Sequence, residues 1–236
     1  MKTAIITGAS SEIGLAVCDA LASQGFRLIC QYSEHPKESL LRGKNIDFVS
    51  VGADFSDQQS TEQFVAFVED HTASIEVIVH CAAKHEKMIT DETGEHIFDI
   101  VARVNLFAPI YITNKLASKM RLSDNPVIIF ISSTYAEQFG TFDNIYYAAT
   151  KTALHTVSRI CARELFPIRS NVIVPGYVDT PSYRLGRTDV LIQKDEQASV
   201  SKKLVSAQDI ADTVLFIVSN KSVNAATMAV DGGLGL

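Results

Sequence analysis

The sequence predicts an α/β fold, a doubly wound parallel sheet of about seven strands with helices on both faces, and three observations predict it. Short continuous apolar runs recur along the chain, which is how strands buried on both faces read. Between them lie amphipathic stretches of helical length. The first apolar run passes through a glycine turn directly into one of these helices.

Thr3 to Ile6 is that first strand, followed by the Gly8 turn and a helix from Ile13 to Ala22. Strands are read at Arg27 to Tyr32, Phe48 to Val51 and Ile75 to Cys81, with a helix from Thr61 to Glu69 before the last of them. A helix from Asn105 to Lys119 precedes the strand Val127 to Ile131. A long helix from Tyr147 to Leu165 leads to the strand Asn171 to Val174, and the helix Ala207 to Val218 to the strand Thr227 to Val230. The stretch from Pro181 to Leu204 has no clear period and reads as an irregular segment beyond the carboxyl ends of the strands, where it would cover a pocket. No repeat or linker divides the chain, so residues 1–236 are read as one domain.

Composition narrows the function classes. With 47% hydrophobic and 20% charged residues the chain is ordinary globular protein, neither collagen-like nor disordered. The 21 Lys and Arg against 27 Asp and Glu leave a net charge of −6, which argues against nucleic acid or an anionic membrane as partner. No apolar run approaches the roughly 18 residues of a membrane span. Gly8 comes too early for a signal peptide, so a cytoplasmic location is expected. Cys18, Cys30, Cys81 and Cys161 are scattered among apolar residues and read as buried reduced thiols; no metal site is expected from them or from the six His.

Two local patterns carry chemistry. Thr7-Gly8-Ala9-Ser10-Ser11-Glu12-Ile13-Gly14 joins a strand to a helix with little side-chain bulk, the requirement for cradling a phosphate on backbone N–H groups. Tyr147 and Lys151 stand four residues apart on one helix face, where an ammonium would lower the pKa of a phenol toward a useful range. They follow a strand ending Ile131-Ser132-Ser133-Thr134, whose hydroxyls fall where a carbonyl would be held.

In this order the motifs resemble those of the short-chain dehydrogenase/reductase family over nearly the whole chain. TGASSEIG is similar to its T-G-x-x-x-G-x-G turn, Asp54-Phe55-Ser56 to its adenine-contacting acid, and Asn105 to its helix asparagine. Ile131-Ser132-Ser133, Tyr147-x-x-x-Lys151, Pro175-Gly176-Tyr177-Val178-Asp179-Thr180 and Val230-Asp231-Gly232-Gly233 complete the series. The resemblance implies a Rossmann-type fold and an NAD(P)-dependent oxidoreductase that interconverts a carbonyl and an alcohol on a small-molecule substrate. Tyr147 would exchange the proton, Lys151 would lower its pKa and hold the nicotinamide ribose, and Ser133 would bond the carbonyl oxygen. Asn105 would hold a water linking Lys151 to solvent. Gly8, Ser10, Ile13 and Gly14 would take the pyrophosphate, Asp54 and Phe55 the adenine, and the main chain at Cys81 and Ala82 the adenosine ribose; Pro175, Val178 and Thr180 would position the nicotinamide.

Three departures from the family pattern stand out. Glu12 replaces a glycine and adds a carboxylate at the pyrophosphate site, while His80-Cys81-Ala82-Ala83 replaces an Asn-Asn-Ala-Gly type segment and loses an asparagine that ties strands together. Ser133 precedes Tyr147 by 14 residues, one more than the family interval, which leaves Thr134 as the alternative hydroxyl. Cofactor choice rests on the end of the second strand, where Ser33, His35 and Lys37 would meet a 2′-phosphate and Glu34 argues the other way; NADP is the reading, with NAD as the alternative, and NADP implies a reductase. Pteridine reductases and 3-oxoacyl carrier-protein reductases are the nearest groups, through Glu164 to Arg169 and the compact length. Tyr135, Phe139, Phe142 and Tyr177 would line a pocket for a flat or apolar ligand. Assembly as a homotetramer or homodimer through the two long helices is implied by the resemblance, and a non-catalytic dinucleotide-binding sensor or scaffold is the alternative function.

Overall fold

A computed structural model describes residues 2–33, 46–87, 94–137, 140–234 and 236. Its strands are β1 (Thr3–Thr7), β2 (Arg27–Tyr32), β3 (Phe48–Gly52), β4 (Val77–His80), β5 (Val127–Ile131), β6 (Arg169–Pro175) and β7 (Thr227–Val230). All pair in parallel in one sheet of order β3-β2-β1-β4-β5-β6-β7. The chain runs outward from β1 to β3, then returns to β4 on the other side of β1, so the strand order reverses between β1 and β4.

Alternate strand residues feed two separate cores. Ala4, Ile6, Val77, Val79, Val127, Ile129 and Ile131 pack on one face, Ile5, Ile78, Ile128 and Phe130 on the other. Both faces being dry is why the Val127–Ile131 run shows no polar alternation. The first face is covered by α1 (Glu12–Ser23) and, near the end of the chain, a helix at Ala207–Ser219; the second by α2 (Gln58–His71), a long helical rod and a helix at Ile145–Glu164. The rod consists of α3 (Gly94–Ala102), one π-helical stretch (Arg103–Phe107) and α4 (Ala108–Met120). Numbered onward, α5 is Ile145–Glu164, α6 Pro181–Arg184, α7 Asp189–Ala198 and α8 Ala207–Ser219.

Local chemistry sets the helix ends. Ser11, Asp57, Thr180, Thr188 and Ser206 cap α1, α2, α6, α7 and α8 through their side-chain oxygens, and Ser206 with Asp209 forms a capping box. At the other end of α8, the buried Arg169 of β6 donates Nη1 to the carbonyls of Ile217, Asn220 and Val223 at 3.0, 3.2 and 2.7 Å. Its charge therefore sits where the helix dipole is negative.

Three expectations change. The helix expected from Asn105 begins earlier, as α3, because Ile97, Ile100 and Val101 already carry the helical spacing. The segment Pro181 to Leu204 is not irregular: Thr180-Pro181 and Thr188-Asp189 are helix starts, and α6 and α7 follow them. Of the four thiols, Cys18 and Cys30 are buried with their Sγ atoms 3.7 Å apart, but Cys81 and Cys161 are only half-buried because they sit at a strand end and on the outer part of α5. No described helix is long and apolar enough to cross a membrane, and no described cluster of His, Cys, Asp or Glu has a metal-binding arrangement.

Candidate active site

The reversal of strand order opens a crevice at the carboxyl ends of β1 and β4. Two glycines fit the turn after β1 into it. Gly8 has φ +64°, and a Cβ there would stand 2.7 Å from the Ala82 nitrogen; at Gly14 a Cβ would stand 2.3 Å from the Gly8 carbonyl oxygen. Side chains at either position would force the turn away from β4 or α1 away from the turn. Ser11 fixes the geometry, donating to the Gly8 carbonyl at 2.8 Å and accepting from the Gly14 N–H at 3.0 Å.

Gln31, buried on β2, holds the same turn from the other side. It accepts from the Gly8 N–H at 2.8 Å and donates to the Ala53 carbonyl at 2.7 Å, linking the ends of β1, β2 and β3. Thr7 accepts from the Ala82 N–H at 3.2 Å and joins β1 to β4. Around this scaffold lies a cleft of about 700 Å³ that brings together Gly8, Ser10, Ile13, Ser33, Asp54, Phe55, Cys81 and Ala82. Gly14 lies buried beneath its floor. Asp54 is held by the Ser56 N–H and hydroxyl at 2.9 and 2.8 Å.

This cleft fits a dinucleotide: a cradle that any Cβ would fill, backed by the N-terminus of α1. Glu12 is the first residue of α1 and stands on the cleft wall, where the helix dipole favours its carboxylate. Glu34, His35 and Lys37 lie outside the described residues, as does Phe139.

The second half of the site is made by β5 and α5. Ser132 donates to the Lys151 carbonyl at 3.0 Å and lies 2.9 Å from the His155 Nε2, fastening the strand end to the helix. Lys151 is only 2% exposed and donates Nζ to the Ile131 carbonyl at 2.7 Å. Burial pulls its pKa down to about 8, so it is still predominantly cationic at neutral pH. Its Nζ stands 5.6 Å from the centroid of the Tyr147 ring.

Tyr147 is half-buried, and desolvation pushes its hydroxyl up to about 12 against the pull of a hydrogen bond with Ser133. The pKa is thus raised where the sequence predicts a lowering by Lys151, because burial of the phenol dominates. Ser133 is the hydroxyl that meets Tyr147, whereas Thr134 is buried in the short turn Thr134–Ala136. Phe142 is 73% exposed on its own turn. Tyr135 does face Tyr147, edge to face at 6.2 Å.

Asn105 lies in the π-helical stretch and is 1% exposed. Its side chain is fully occupied: Oδ1 accepts from the Lys84 N–H at 2.7 Å, and Nδ2 donates to the Lys84 carbonyl at 2.9 Å and to Thr150 Oγ1 at 3.2 Å. Pro109, four residues on, has no N–H to give the Asn105 carbonyl, so the sequence itself withholds the ordinary helical donor from that oxygen. The asparagine thus pins the segment after β4 to α5 with its side chain.

Pro175, Val178 and Thr180 do not border the cleft described above; they carry the chain across its far end. Val178 bridges to Val205, and Thr180 caps α6, whose Ser182 reaches the cleft wall. Tyr183 donates to Asp195 at 2.6 Å and Arg187 pairs with the same carboxylate at 2.5 Å, stacking over the Tyr183 ring at 4.4 Å. Tyr177 packs on Tyr183 at 5.9 Å and is hydrogen-bonded to Tyr135, which ties α6 and α7 to the wall beside Tyr147.

Several residues of the site have no counterpart among those expected. His80, at the position of the missing asparagine, is 2% exposed; its Nε2 meets Thr113 of α4 at 3.1 Å and its ring stacks on Phe130 at 5.0 Å. His80 thus fastens β4 to α4, and among the described residues its Nδ1 has no hydrogen-bond partner, so the tie between strands is not rebuilt by this side chain. Gln31 shows in the sequence only as a polar residue inside an apolar strand, a signal of a buried hydrogen-bonding role. His85, in the segment after β4, lies 4.6 Å from the Tyr147 ring and carries no spacing that would reveal it.

Comparison with known proteins agrees with this arrangement. A family model described as enoyl-(acyl carrier protein) reductase matches residues 8–235. The chain is 28% identical to the uncharacterized oxidoreductase YmfI of Bacillus subtilis, over 98% of each chain. It is 27% identical to the 3-oxoacyl-[acyl-carrier-protein] reductase MabA of Mycobacterium tuberculosis, over 100% of this chain and 93% of that one. The structure of a blue fluorescent protein from a metagenomic library, in complex with NADPH, superposes with a TM-score of 0.90 at 26% identity, covering 100% of this chain and 98% of the other. With the glycine cradle, the parallel sheet and the Tyr147–Lys151 corner in place, these matches show that the chain belongs to the short-chain dehydrogenase/reductase family of oxidoreductases.

Proposed function

We propose that this protein is an NADPH-dependent reductase that converts a carbonyl of a small molecule to an alcohol, with Tyr147 as the proton donor and, in reverse, the acceptor. The observation that carries the reading is the meeting of Ser133, Tyr147 and Lys151 at the end of β5, beside a cleft of dinucleotide size. The nicotinamide supplies the hydride when bound. Ser133 and Tyr147 hold the carbonyl oxygen by hydrogen bonds, and Tyr147 hands over its proton as charge develops there. A phenol pushed up to about 12 is fully protonated at neutral pH, the form that reduction needs. Lys151 keeps a positive charge close to that phenol and stabilises the phenolate left behind. A water on the Asn105 carbonyl, which Pro109 deprives of the ordinary helical donor, would return the proton.

NADPH is favoured over NADH by Ser33 on the cleft wall in place of an acid, and by the NADPH in the similar solved structure. Assembly as a homodimer or homotetramer belongs to the same reading, supported by the exposed Ile110 of α4 and Ile145 and Ile160 of α5. Fluorescence titration should give NADPH a dissociation constant at least about tenfold below that of NADH, and a panel of aldehydes and ketones should oxidise it. Equal affinities would overturn the cofactor choice; binding without oxidation by any carbonyl would overturn the reaction and leave the sensor alternative. Light scattering at a mass of 25.8 kDa would contradict assembly.

A further inference from the structure

His85 borders the reacting phenol without serving the proton chemistry above. Its ring lies 4.6 Å from that of Tyr147 and 6.0 Å from that of Tyr135, and its Nε2 stands 2.6 Å from Asn144 Oδ1. Which nitrogen of His85 carries the hydrogen follows from its neighbour. Asn144 is buried, and its Nδ2 donates to Thr141 Oγ1 at 2.6 Å and toward Asp143 Oδ1 at 3.3 Å. A carboxylate only accepts, so Asn144 must turn its NH₂ to Asp143 and its oxygen to His85. An oxygen at 2.6 Å requires a hydrogen on His85 Nε2.

In the neutral ring Nδ1 is then an acceptor. It makes no hydrogen bond to a described residue. The charged side chains nearest in the chain are engaged elsewhere, Lys84 with Glu86 at 3.0 Å and Lys87 with Asp143 at 3.1 Å. The other polar groups at this corner play different parts: Ser133 and Tyr147 face the carbonyl oxygen, and the Tyr135 hydroxyl is bonded to Tyr177. Among the described residues His85 Nδ1 thus has no hydrogen-bond partner, and its ring stands beside the Tyr147 phenol that the substrate carbonyl would meet.

We propose that His85 determines substrate specificity: its Nδ1 accepts a hydrogen bond from a hydroxyl one or two carbons away from the carbonyl, so hydroxy-carbonyl compounds are preferred over their unsubstituted parents. Adjacency supports the reading: the His85 and Tyr147 ring centroids are 4.6 Å apart, so a substrate whose carbonyl meets the Tyr147 hydroxyl passes beside the His85 ring. Both functional consequences of the site are then separate. Tyr147 acts on the carbonyl, and His85 reads the group next to it. The inference rests on the carbonyl-reductase reading.

The test uses two probes, acetophenone and 2-hydroxyacetophenone, with NADPH and the full-length protein. His85 is exposed, so the wild type should show a kcat/KM for the hydroxylated ketone about three- to tenfold above that for the parent, the scale of one net hydrogen bond in competition with water. His85→Phe keeps a ring against Tyr147 and removes the acceptor, and the ratio should fall to about unity. His85→Gln, which retains an acceptor, should restore part of the ratio. A wild type without preference, a ratio unchanged in His85→Phe, or a fall in both rates by one common factor would each overturn the role of His85. Turnover of neither ketone, with other carbonyls of the panel still reduced, would overturn the preference for hydroxy-carbonyl compounds, whereas oxidation of NADPH by no carbonyl at all would contradict the reductase reading itself. Imidazole nitrogen spectra of the free protein should show the Nε2–H tautomer at His85, and this also covers a poorly folding variant; the Nδ1–H tautomer would overturn the assignment.

Discussion

The two halves of the site are built from different materials. At β1 and β4 the cleft is shaped by main chain: Gly8 and Gly14 matter for the Cβ they lack, and the turn is held by backbone bonds to Ser11, Gln31 and Thr7. At β5 and α5 the corner is shaped by buried polar side chains, Asn105, Ser133, Tyr147 and Lys151, each with particular partners. The first half tolerates any side chain small enough and fails on added volume; the second tolerates volume changes poorly and fails on the loss of a single polar atom. Glu12, His80 and Cys81 depart from the family pattern in the first half without disturbing its backbone, which is what such a construction allows.

Substitutions on either side break this contrast if it is wrong. Gly14→Ala, with its Cβ 2.3 Å from a carbonyl oxygen, should cost about 3 kcal/mol or more in urea unfolding and abolish NADPH binding. A variant that binds normally would mean that the cradle is not steric. Asn105→Ala leaves the Lys84 N–H and carbonyl without their partner and should cost about 2–3 kcal/mol, while NADPH binding to the folded protein falls far less than turnover. Equal losses of binding and turnover would erase the division between the halves.

His80 offers a graded test. Burial holds its pKa down at about 3 against 6.5 when unfolded, so its contribution is complete above pH 6.5 and is lost as the pH falls from there toward 3. The slope is about 1.4 kcal/mol per pH unit for one proton. Between pH 7 and pH 5 the wild type should lose about 2 kcal/mol more stability than His80→Asn, as read from urea midpoints. Parallel pH profiles would show that the ring is solvated. The smallest effect is expected at Glu12: removing its carboxylate from the cleft wall in Glu12→Gly should tighten NADPH binding about two- to fivefold at low salt, and less at high salt. Unchanged affinity would place the side chain away from the pyrophosphate.

Much of the frame was legible because physics writes it locally. Strands such as Val127–Ile131 are dry on both faces and so appear as unbroken apolar runs. Tyr147 and Lys151 are legible because one helix turn separates them, and Gly8 and Gly14 because a close approach admits nothing larger. What escaped is what depends on partners distant in sequence. Gln31 binds residues 23 and 22 positions away, and Asn105 meets Lys84 and Thr150 from different elements. The raised pKa of the Tyr147 phenol likewise comes from burial by residues distant in sequence, which outweighs the nearby ammonium of Lys151. The helices α6 and α7 were legible from Thr180-Pro181 and Thr188-Asp189, but caps weigh little beside a polar, aperiodic stretch.

The central claim is that the phenol of Tyr147 performs proton transfer and does not hold the cofactor in place. Tyr147→Phe removes one oxygen and keeps the ring between His85 and Tyr135. Measured side by side with wild type, it should bind NADPH within about threefold and reduce carbonyls about a thousandfold more slowly, the scale of a lost general acid. Turnover within about tenfold of wild type would contradict the account.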